Sequence, residues 1–258
     1  MSSNYTEVYT TEYITMSVRL DKYLSGLGVC SRRDVAKYLL NHQVMINSQK
    51  VKVPGVRLTI PNDKLTIDGK SLKQQELVYY LLNKPKGIVS TTDDNLKRKT
   101  VTSLIPEKRR IYPVGRLDKE TTGLLLLTND GELTNFLTHP RYHIDKTYRL
   151  TIQGKATDRQ LTKLRNGVTL SDGNTAPSQV TILKSTQSLS VLEMTIREGR
   201  NRQIRRMCEA VNLVLLELER IRFGHLTLDG TPLGSYRLLT DNEVKQLKSS
   251  VSEKIPHD

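Results

Sequence analysis

A carboxylate set between two cations is the first feature of this sequence suited to chemistry. Asp118 lies in the run YPVGRLDKETTGLLLLTNDGEL, with Arg116 and Lys119 close beside it. Neighbouring positive charges favour the ionised form of a carboxyl group, so Asp118 is poised as a carboxylate. An aspartate in a polar, glycine-flanked loop can also simply cap a turn or a helix, and its position alone leaves both interpretations open.

Two later segments carry an aromatic ring and a dense set of cations. Tyr148 lies in DKTYRLTI, and Arg205 lies in EGRNRQIRRMCE. Taken singly, Tyr148 is typical of a half-buried strand aromatic and Arg205 of a cation on a helix surface. His139 and His143, which flank Pro140, are interpreted as ordinary surface or packing histidines and not as ligands.

The elements that must position these residues are strands and helices that do not alternate regularly. The four leucines after the Asp118 loop predict a buried strand, and Gln203 to Ala210 predicts a helix. Irregular alternation favours an α+β domain built on a mixed, largely antiparallel sheet over a doubly wound fold. Further strands are predicted at 78–82, 148–152 and 191–196, and a further helix at 158–164.

A separate small basic domain is predicted from Val18 to Lys70, where ten Lys or Arg stand against four Asp or Glu. Leu20, Leu24 and their neighbours recur at helical spacing, and Ser31 is a candidate cap for a second short helix. Short strands are predicted to follow, so the unit is expected to pack two helices against a few strands.

Three cations of this small domain form a candidate phosphate-binding surface. Arg32 and Arg33 are predicted in the first turn of the second helix, with Lys37 near the same face. A solvated helix face is the alternative interpretation of the same spacing.

The predicted organisation has five parts: a disordered tail over 1–17, the small domain over 18–70, a linker over 71–77, the larger domain over 78–247 and a frayed end over 248–258. Met16 is a candidate alternative start. The first residues lack the basic and hydrophobic stretches of a signal peptide, and no apolar run is long enough to span a bilayer.

Composition points to a polyanionic partner. Forty Lys and Arg against 27 Asp and Glu give a net charge of +13, a field that favours nucleic acid, although a merely basic surface is the alternative. Cys30 and Cys208 have no metal-ligand spacing, which indicates a reducing cytoplasm. There is no metal-ligand cluster, phosphate loop or dinucleotide motif, so we expect neither a metal nor a cofactor. A monomer is the default expectation.

The run GRLDKETTGLLLLTNDG resembles the signature of pseudouridine synthases, specifically the ribosomal RNA (RsuA/RluB/RluF) group, and DKTYRLTI and EGRNRQIRRMCE resemble two further motifs of that family. The segment RLDKYLSGLGVCSRRDVAKYLLNHQVMIN resembles the alpha-L RNA-binding domain of a small-subunit ribosomal protein. NKPKG, at 83–87, resembles the family's opening motif. The resemblance runs from Val18 to about Leu247.

This resemblance implies roles for three residues. Asp118 is implied to be catalytic, Tyr148 to pack on the target uracil ring, and Arg205 to pair with the carboxylate. The reaction would isomerise uridine in ribosomal RNA, with the large-subunit RNA modestly preferred over the small-subunit RNA and transfer RNA more distant. Asp118 would attack the sugar C1' or the uracil ring, or remove the C2' proton, and the sequence does not choose among these routes.

Phosphate contacts are expected to supplement stacking when a nucleotide is flipped out of structured RNA. The predicted RNA-binding residues are Arg32, Arg33, Lys37, Lys84, Arg116, Arg200, Arg202, Gln203 and Arg206. Ribosomal RNA or an assembly intermediate is the expected partner. A non-catalytic RNA-binding or ribosome-assembly factor is the first alternative, and a metal-dependent nuclease that uses Asp118 is the second.

Overall fold

The structure is a computed structural model that describes residues 15–94 and 96–252. The chain divides between Glu76 and Leu77 into two units, and this boundary falls within the stretch predicted as a linker. No helix among the described residues is both long and apolar enough to cross a bilayer.

The first unit contains two short helices and six short strands around its own apolar core. Leu20, Leu24, Val35 and Leu58 are fully buried there. The elements are β1 (Met16–Arg19), α1 (Leu20–Gly26), α2 (Val35–Asn41), β2 (Val44–Ile46), β3 (Gln49–Lys50), β4 (Arg57–Ile60), β5 (Leu65–Ile67) and β6 (Lys70–Ser71). Strand β1 pairs with β4, and the remaining strands form a sheet in the order β3-β2-β5-β6.

The amino-terminal boundary differs from the prediction. Met16 and Ser17, expected in the tail, belong to β1 and pair antiparallel with Ile60 and Thr59. The backbone ladder therefore orders two residues that carry no strong sequence pattern. Residues 1–14 of the predicted tail lie outside the described residues.

Helix α2 begins later than predicted, which changes the placement of two arginines. Asp34, not Ser31, is its amino-terminal flanking residue, so Arg32 and Arg33 lie in the turn before the helix. The Arg32 guanidinium donates to Oδ2 of the buried Asp21, with Nη2 at 2.9 Å. Part of the hydrogen-bonding capacity of Arg32 is therefore used within the protein. Arg33 and Lys37 have exposed side chains.

The second unit is α+β, as predicted. Its strands are β7 (Tyr79–Lys84), β8 (Tyr112–Pro113), β9 (Thr122–Thr128), β10 (Lys146–Gln153), β11 (Thr169–Leu170), β12 (Gly173–Asn174), β13 (Gln179–Ser185), β14 (Leu189–Ile196), β15 (Leu215–Phe223), β16 (Leu226–Thr227) and β17 (Tyr236–Leu238). Its helices are α3 (Gly131–Thr138), α4 (Asp158–Asn166), α5 (Gln203–Ala210) and α6 (Asp241–Ser252), with short 3-10 turns at Thr102–Leu104 and Pro140–Tyr142.

One large sheet organises this unit, in the order β13-β14-β10-β15-β9-β7-β17. Most neighbouring strands are antiparallel, but β15 and β9 are parallel and share only two residue pairs, Glu219 with Thr122 and Arg220 with Gly123. The sheet is therefore mixed and largely antiparallel, and its centre is the short parallel contact.

The leucine run forms β9, which is buried on both faces. Leu125 and Leu127 pack with Leu150 on one face, while Leu124 and Leu126 belong to a second apolar cluster that includes Phe136 of α3. Because successive side chains of a strand point to opposite faces, a strand covered on both sides needs an unbroken apolar run.

The carboxyl-terminal end is more ordered than predicted. Residues 248–252, expected to be frayed, continue α6, and Leu247 of this helix is 1% exposed. Burial of Leu247 against the core anchors the helix beyond the predicted boundary. Residues 253–258 lie outside the described residues.

Candidate active site

The loop that carries Asp118 joins β8 to β9 at the central parallel contact of the sheet. The Thr121 amide donates to the Asp118 carbonyl at 3.0 Å, which closes a tight turn around the carboxylate. The Asp118 side chain is 32% exposed, and its Oδ2 lies 3.9 Å from both Arg202 Nη1 and Arg205 Nε. Asp118 thus lies at a cleft, and two cations balance its negative charge, Arg205 from α5 and Arg202 from the turn before α5.

Lys84, at the end of β7, supports this loop from beneath. Its side chain is fully buried, and Nζ donates to the carbonyls of Pro85, Asp118, Lys119 and Thr121 at 2.9–3.3 Å. Burial lowers the pKa of Lys84 to about 8, against the opposing effect of the Glu120 and Asp118 carboxylates. The prediction that Lys84 contacts RNA is wrong, because its ammonium group is enclosed by the loop that it holds.

Arg205 connects α5 to the same loop. Its Nη2 donates to the Glu120 carbonyl and to Thr121 Oγ1, each at 3.3 Å. Its Nε is buried without a hydrogen-bond partner among the described residues, and it faces Asp118 at ion-pair distance. Arg205 therefore both fixes the loop backbone and supplies charge to the carboxylate.

Arg202 reaches Asp118 from the turn that precedes α5. Its backbone is left-handed, with φ of 49°, and its side chain is 53% exposed. Unlike Arg205, it has room to move toward a ligand while staying close to the carboxylate.

The other predicted RNA-binding residues of this segment make bonds within the protein. Arg206 of α5 forms a bidentate ion pair with Asp172 at 2.9 and 3.0 Å. Arg200, just before α5, donates to the Gly173 carbonyl at 3.0 Å. Both arginines therefore hold the β11–β12 hairpin in place beside this segment. Gln203 is 3% exposed, accepts from the Arg200 amide and donates to Glu198. Both of its polar ends are thus used within the protein, although Gln203 also lines the cleft, and its contact with RNA stays a prediction.

Tyr148 lies on β10, with 8% of its surface exposed, and lines the same cleft as Asp118. Apolar side chains such as Leu218, Phe223 and Ile204 line it as well. The cleft holds about 1290 Å³, more than the roughly 300–1,000 Å³ typical of a small-molecule pocket. This volume exceeds what a single small molecule would fill.

The charge of the cleft is strongly positive. Nine Lys or Arg line it against four Asp or Glu, and the exposed Arg116 and Lys119 flank Asp118 on its loop. A concave surface with this balance attracts phosphates, which position nucleic acid without reading its sequence. The described residues contain no cluster of His, Cys, Asp and Glu arranged to hold a metal ion.

The chain is similar to proteins of one known family. Residues 78–210 match the family described as RNA pseudouridylate synthase. Over 234 residues the chain is 42% identical to ribosomal large subunit pseudouridine synthase B of Bacillus subtilis, covering 90% of this chain and 96% of that protein. The chain belongs to the RNA pseudouridylate synthase family.

Further relatives of this synthase give the same result. It is 36% identical to the dual-specificity RNA pseudouridine synthase RluF of Escherichia coli K12 over 247 residues, which is 93% of this chain and 83% of that protein. A crystal structure of a pseudouridylate synthase matches with a TM-score of 0.66 and 30% identity, covering 89% of this chain and 99% of that one. The resemblance found in the sequence motifs is confirmed, and the protein is an isomerase that acts on RNA.

One buried residue of the synthase's cleft, Arg220, is not among the residues predicted from the sequence. Arg220 of β15 is 2% exposed and lines the cleft beside Tyr148, its partner in the β10–β15 register. A signal was present, because Leu218 and Arg220 have the spacing of two residues on one face of a strand. An arginine on an apolar strand face is uncommon and marks a candidate site.

We expect Lys84→Met to destabilise the synthase by about 2–4 kcal/mol, because it leaves buried carbonyl groups without a donor. Loss of this support also displaces Asp118, so kcat should fall about 10- to 100-fold while KM changes little. Chemical denaturation and steady-state kinetics measure the two effects. Lys86→Met is the matched control, because Lys86 is 68% exposed and pairs only loosely with Glu120 at 3.4 Å. Equal kcat values in the two variants would show that Lys84 does not position the loop.

Proposed function

We propose that this protein isomerises a specific uridine of ribosomal RNA to pseudouridine, with Asp118 as the reacting carboxylate. The observation that carries the proposal is the placement of Asp118, between Arg202 and Arg205, in a basic cleft that Tyr148 also lines. The printed names of the relatives support ribosomal RNA as the substrate class.

The reaction rearranges bonds within one nucleotide. The bond from C1' to N1 of uracil breaks, the base turns and a bond forms from C1' to C5. C5 then loses its proton, and N1 gains one, either the same proton or one from solvent. Asp118 takes part in one of three alternative ways. It displaces uracil from C1' and is itself displaced when C5 bonds to C1', it adds to the ring and is later released, or it removes the C2' proton. Each requires an ionised carboxylate that the bound base shields from water, and such a group needs a cationic partner. Arg202 and Arg205 are placed to serve as that partner.

Binding must first extract the uridine from its RNA structure, which costs a few kcal/mol. Stacking of the base on Tyr148 contributes about 1–3 kcal/mol toward this cost. Phosphate contacts supply the remainder, and the exposed Arg116 and Arg202 at the cleft are our candidates for them.

Large-subunit ribosomal RNA is the proposed target. It is named in the B. subtilis relative, which matches over 90% of this chain. We further propose that the protein is a cytoplasmic monomer that acts on ribosomal RNA or on an assembly intermediate.

Mapping pseudouridines in ribosomal RNA from cells with and without this gene tests the proposal. We expect one or a few positions to lose the modification and to regain it when the gene is restored. The purified protein should form pseudouridine at the same positions in a transcript of that RNA. An unchanged map together with an inactive purified protein would rule out ribosomal RNA as the substrate and favour a binding or assembly role.

The small amino-terminal unit is proposed to be an alpha-L RNA-binding domain that grips phosphates through Arg33 and Lys37. Changing both to Ala should reduce the salt dependence of RNA binding by about 0.7–0.9 log units for each phosphate that is no longer bound. Filter binding across a salt series measures this slope. Lys64→Ala with Lys70→Ala is the control, because it removes the same charge from other positions in the unit. Equal slopes for the two double variants would remove Arg33 and Lys37 from the interface.

A further inference from the structure

Arg220 is a buried arginine whose bonding is incomplete. It lies on β15 with 2% of its surface exposed, and its Nε donates to the Leu124 carbonyl at 2.7 Å. Its Cζ lies 4.9 Å from the centre of the Phe223 ring. These contacts fix the plane of the guanidinium group at the central contact between β15 and β9.

The Nη2 atom of Arg220 is buried and has no hydrogen-bond partner within the part of the chain that the structure describes. A buried donor without an acceptor is costly, and a charged donor more so. The Nε atom of the same guanidinium group does donate to a protein carbonyl, so the group is not simply out of reach of protein acceptors. A ligand bound in the cleft could supply the acceptor, because Arg220 lines the cleft.

The position of Arg220 relative to Tyr148 indicates which part of a bound base could supply this acceptor. The two residues are direct partners in the antiparallel register of β10 and β15. Side chains of such a pair project from the same face of the sheet, with Cβ atoms about 4.5–5.5 Å apart. A base that stacks on the Tyr148 ring therefore has its edge within reach of the Arg220 guanidinium.

Guanidinium nitrogens only donate hydrogen bonds, so Arg220 requires an acceptor on that edge. Uracil offers two, the carbonyl oxygens O2 and O4. Cytosine shares O2 but carries an amino donor at C4, which would face Nη2 donor to donor. A contact to O4 would therefore also discriminate against cytidine, since a site built around a buried hydrogen bond rejects an analogue that cannot make it.

We propose that Arg220 donates a hydrogen bond from Nη2 to a carbonyl oxygen of the target uracil and holds the base in register on Tyr148. This inference rests on the proposed isomerisation and adds a base-recognising residue to it. The orphaned donor, its place in the cleft and its pairing with Tyr148 support the same assignment.

Replacing the carbonyl oxygens of the substrate one at a time tests the contact without altering the protein. An RNA transcript that is modified by the wild-type protein is prepared with uridine, 2-thiouridine or 4-thiouridine at the target position, and single-turnover rates are compared. Sulfur is a weaker acceptor than oxygen, so we expect one of the two thio substitutions to slow the wild-type reaction about 10- to 100-fold. The sensitive position identifies the contacted oxygen.

The variant Arg220→Lys completes the test, because it keeps the positive charge and removes Nη2. It should slow the uridine reaction by a similar factor and should respond no further to the sensitive thio substitution. Arg222→Lys, on the same strand but exposed, is the control and should retain the wild-type pattern. A thermal melt shows whether each variant is folded.

Full activity of the wild-type protein on both thio substrates would overturn the inference while leaving the isomerisation intact. So would an Arg220→Lys variant that is slow but still loses the same factor on thio substitution, since that pattern belongs to a structural role or a phosphate contact. Failure of the proposed function itself looks different, because the wild-type protein would then leave the unmodified transcript unchanged.

Discussion

Asp118→Asn lowers the rate of pseudouridine formation by at least about 10³-fold and leaves RNA binding nearly unchanged. The substitution conserves shape but removes the charge and the reactivity of the carboxylate on which all three routes depend. Because the side chain is one-third exposed, loss of its ion pairs with Arg202 and Arg205 should change the free energy of unfolding by less than about 1 kcal/mol. Single-turnover assays and RNA binding titrations measure the two quantities.

Glu120→Gln is the matched control for this experiment, because it removes a carboxylate from the same loop. The Glu120 side chain is 48% exposed and lies 3.4 Å from Lys86, outside the set of residues that line the cleft. Its rate should stay within about twofold of wild type. An Asp118→Asn protein that is folded, binds RNA and turns over normally would refute the assigned role of the carboxylate.

Gly123→Ala should destabilise the second unit by about 3–5 kcal/mol and abolish activity at moderate temperature. A Cβ at this position would lie 2.3 Å from the Arg220 carbonyl oxygen and 2.7 Å from the Arg220 amide nitrogen, both of them backbone atoms that cannot rotate away. The backbone φ of 101° adds a penalty for any residue with a side chain. The parallel pair of β15 and β9 must separate, which displaces the adjacent Asp118 loop. Denaturation curves and a drop in Tm of roughly 10 °C would report the effect.

Gly173→Ala separates the two causes of this destabilisation. Gly173 has nearly the same φ, 104°, but no atom lies within 4 Å of the place that its Cβ would occupy. It should therefore show only the conformational cost, about 1–2 kcal/mol. Equal losses in the free energy of unfolding for the two glycine variants would show that the close approach of β15 to β9 does not contribute to the destabilisation.

Much of the second unit could be predicted from the sequence because its signals are local. The unbroken leucine run of β9 predicts a strand covered on both faces, and the spacing in 203–210 predicts α5 with the observed bounds. The three motif residues Asp118, Tyr148 and Arg205 lie on separate elements, yet the structure brings all three to one cleft.

The remaining features could not be predicted, because they depend on which strands become neighbours. Lys84 looks like a free cation in the sequence, and only the packing of the Asp118 loop over the end of β7 turns it into a buried donor. Arg220 shows the same limit, since its burial requires β15 to lie between β10 and β9. Arg32 likewise looks available until Asp21, eleven residues earlier, is seen to accept its hydrogen bonds.

The position of β15 in the sheet also sets the order in which the enzyme can mature on the ribosome that makes it. This strand, Leu215–Phe223, is synthesised about a hundred residues after the Asp118 loop, yet it lies between β10 and β9. Such distant pairing slows folding, because a long loop must close before the contact forms. A nascent chain that ends at Ala210 already carries Asp118, Tyr148 and Arg205, but the two halves of its sheet have no strand to join them. Catalytic competence should therefore appear late and abruptly in synthesis, when β15 leaves the exit tunnel.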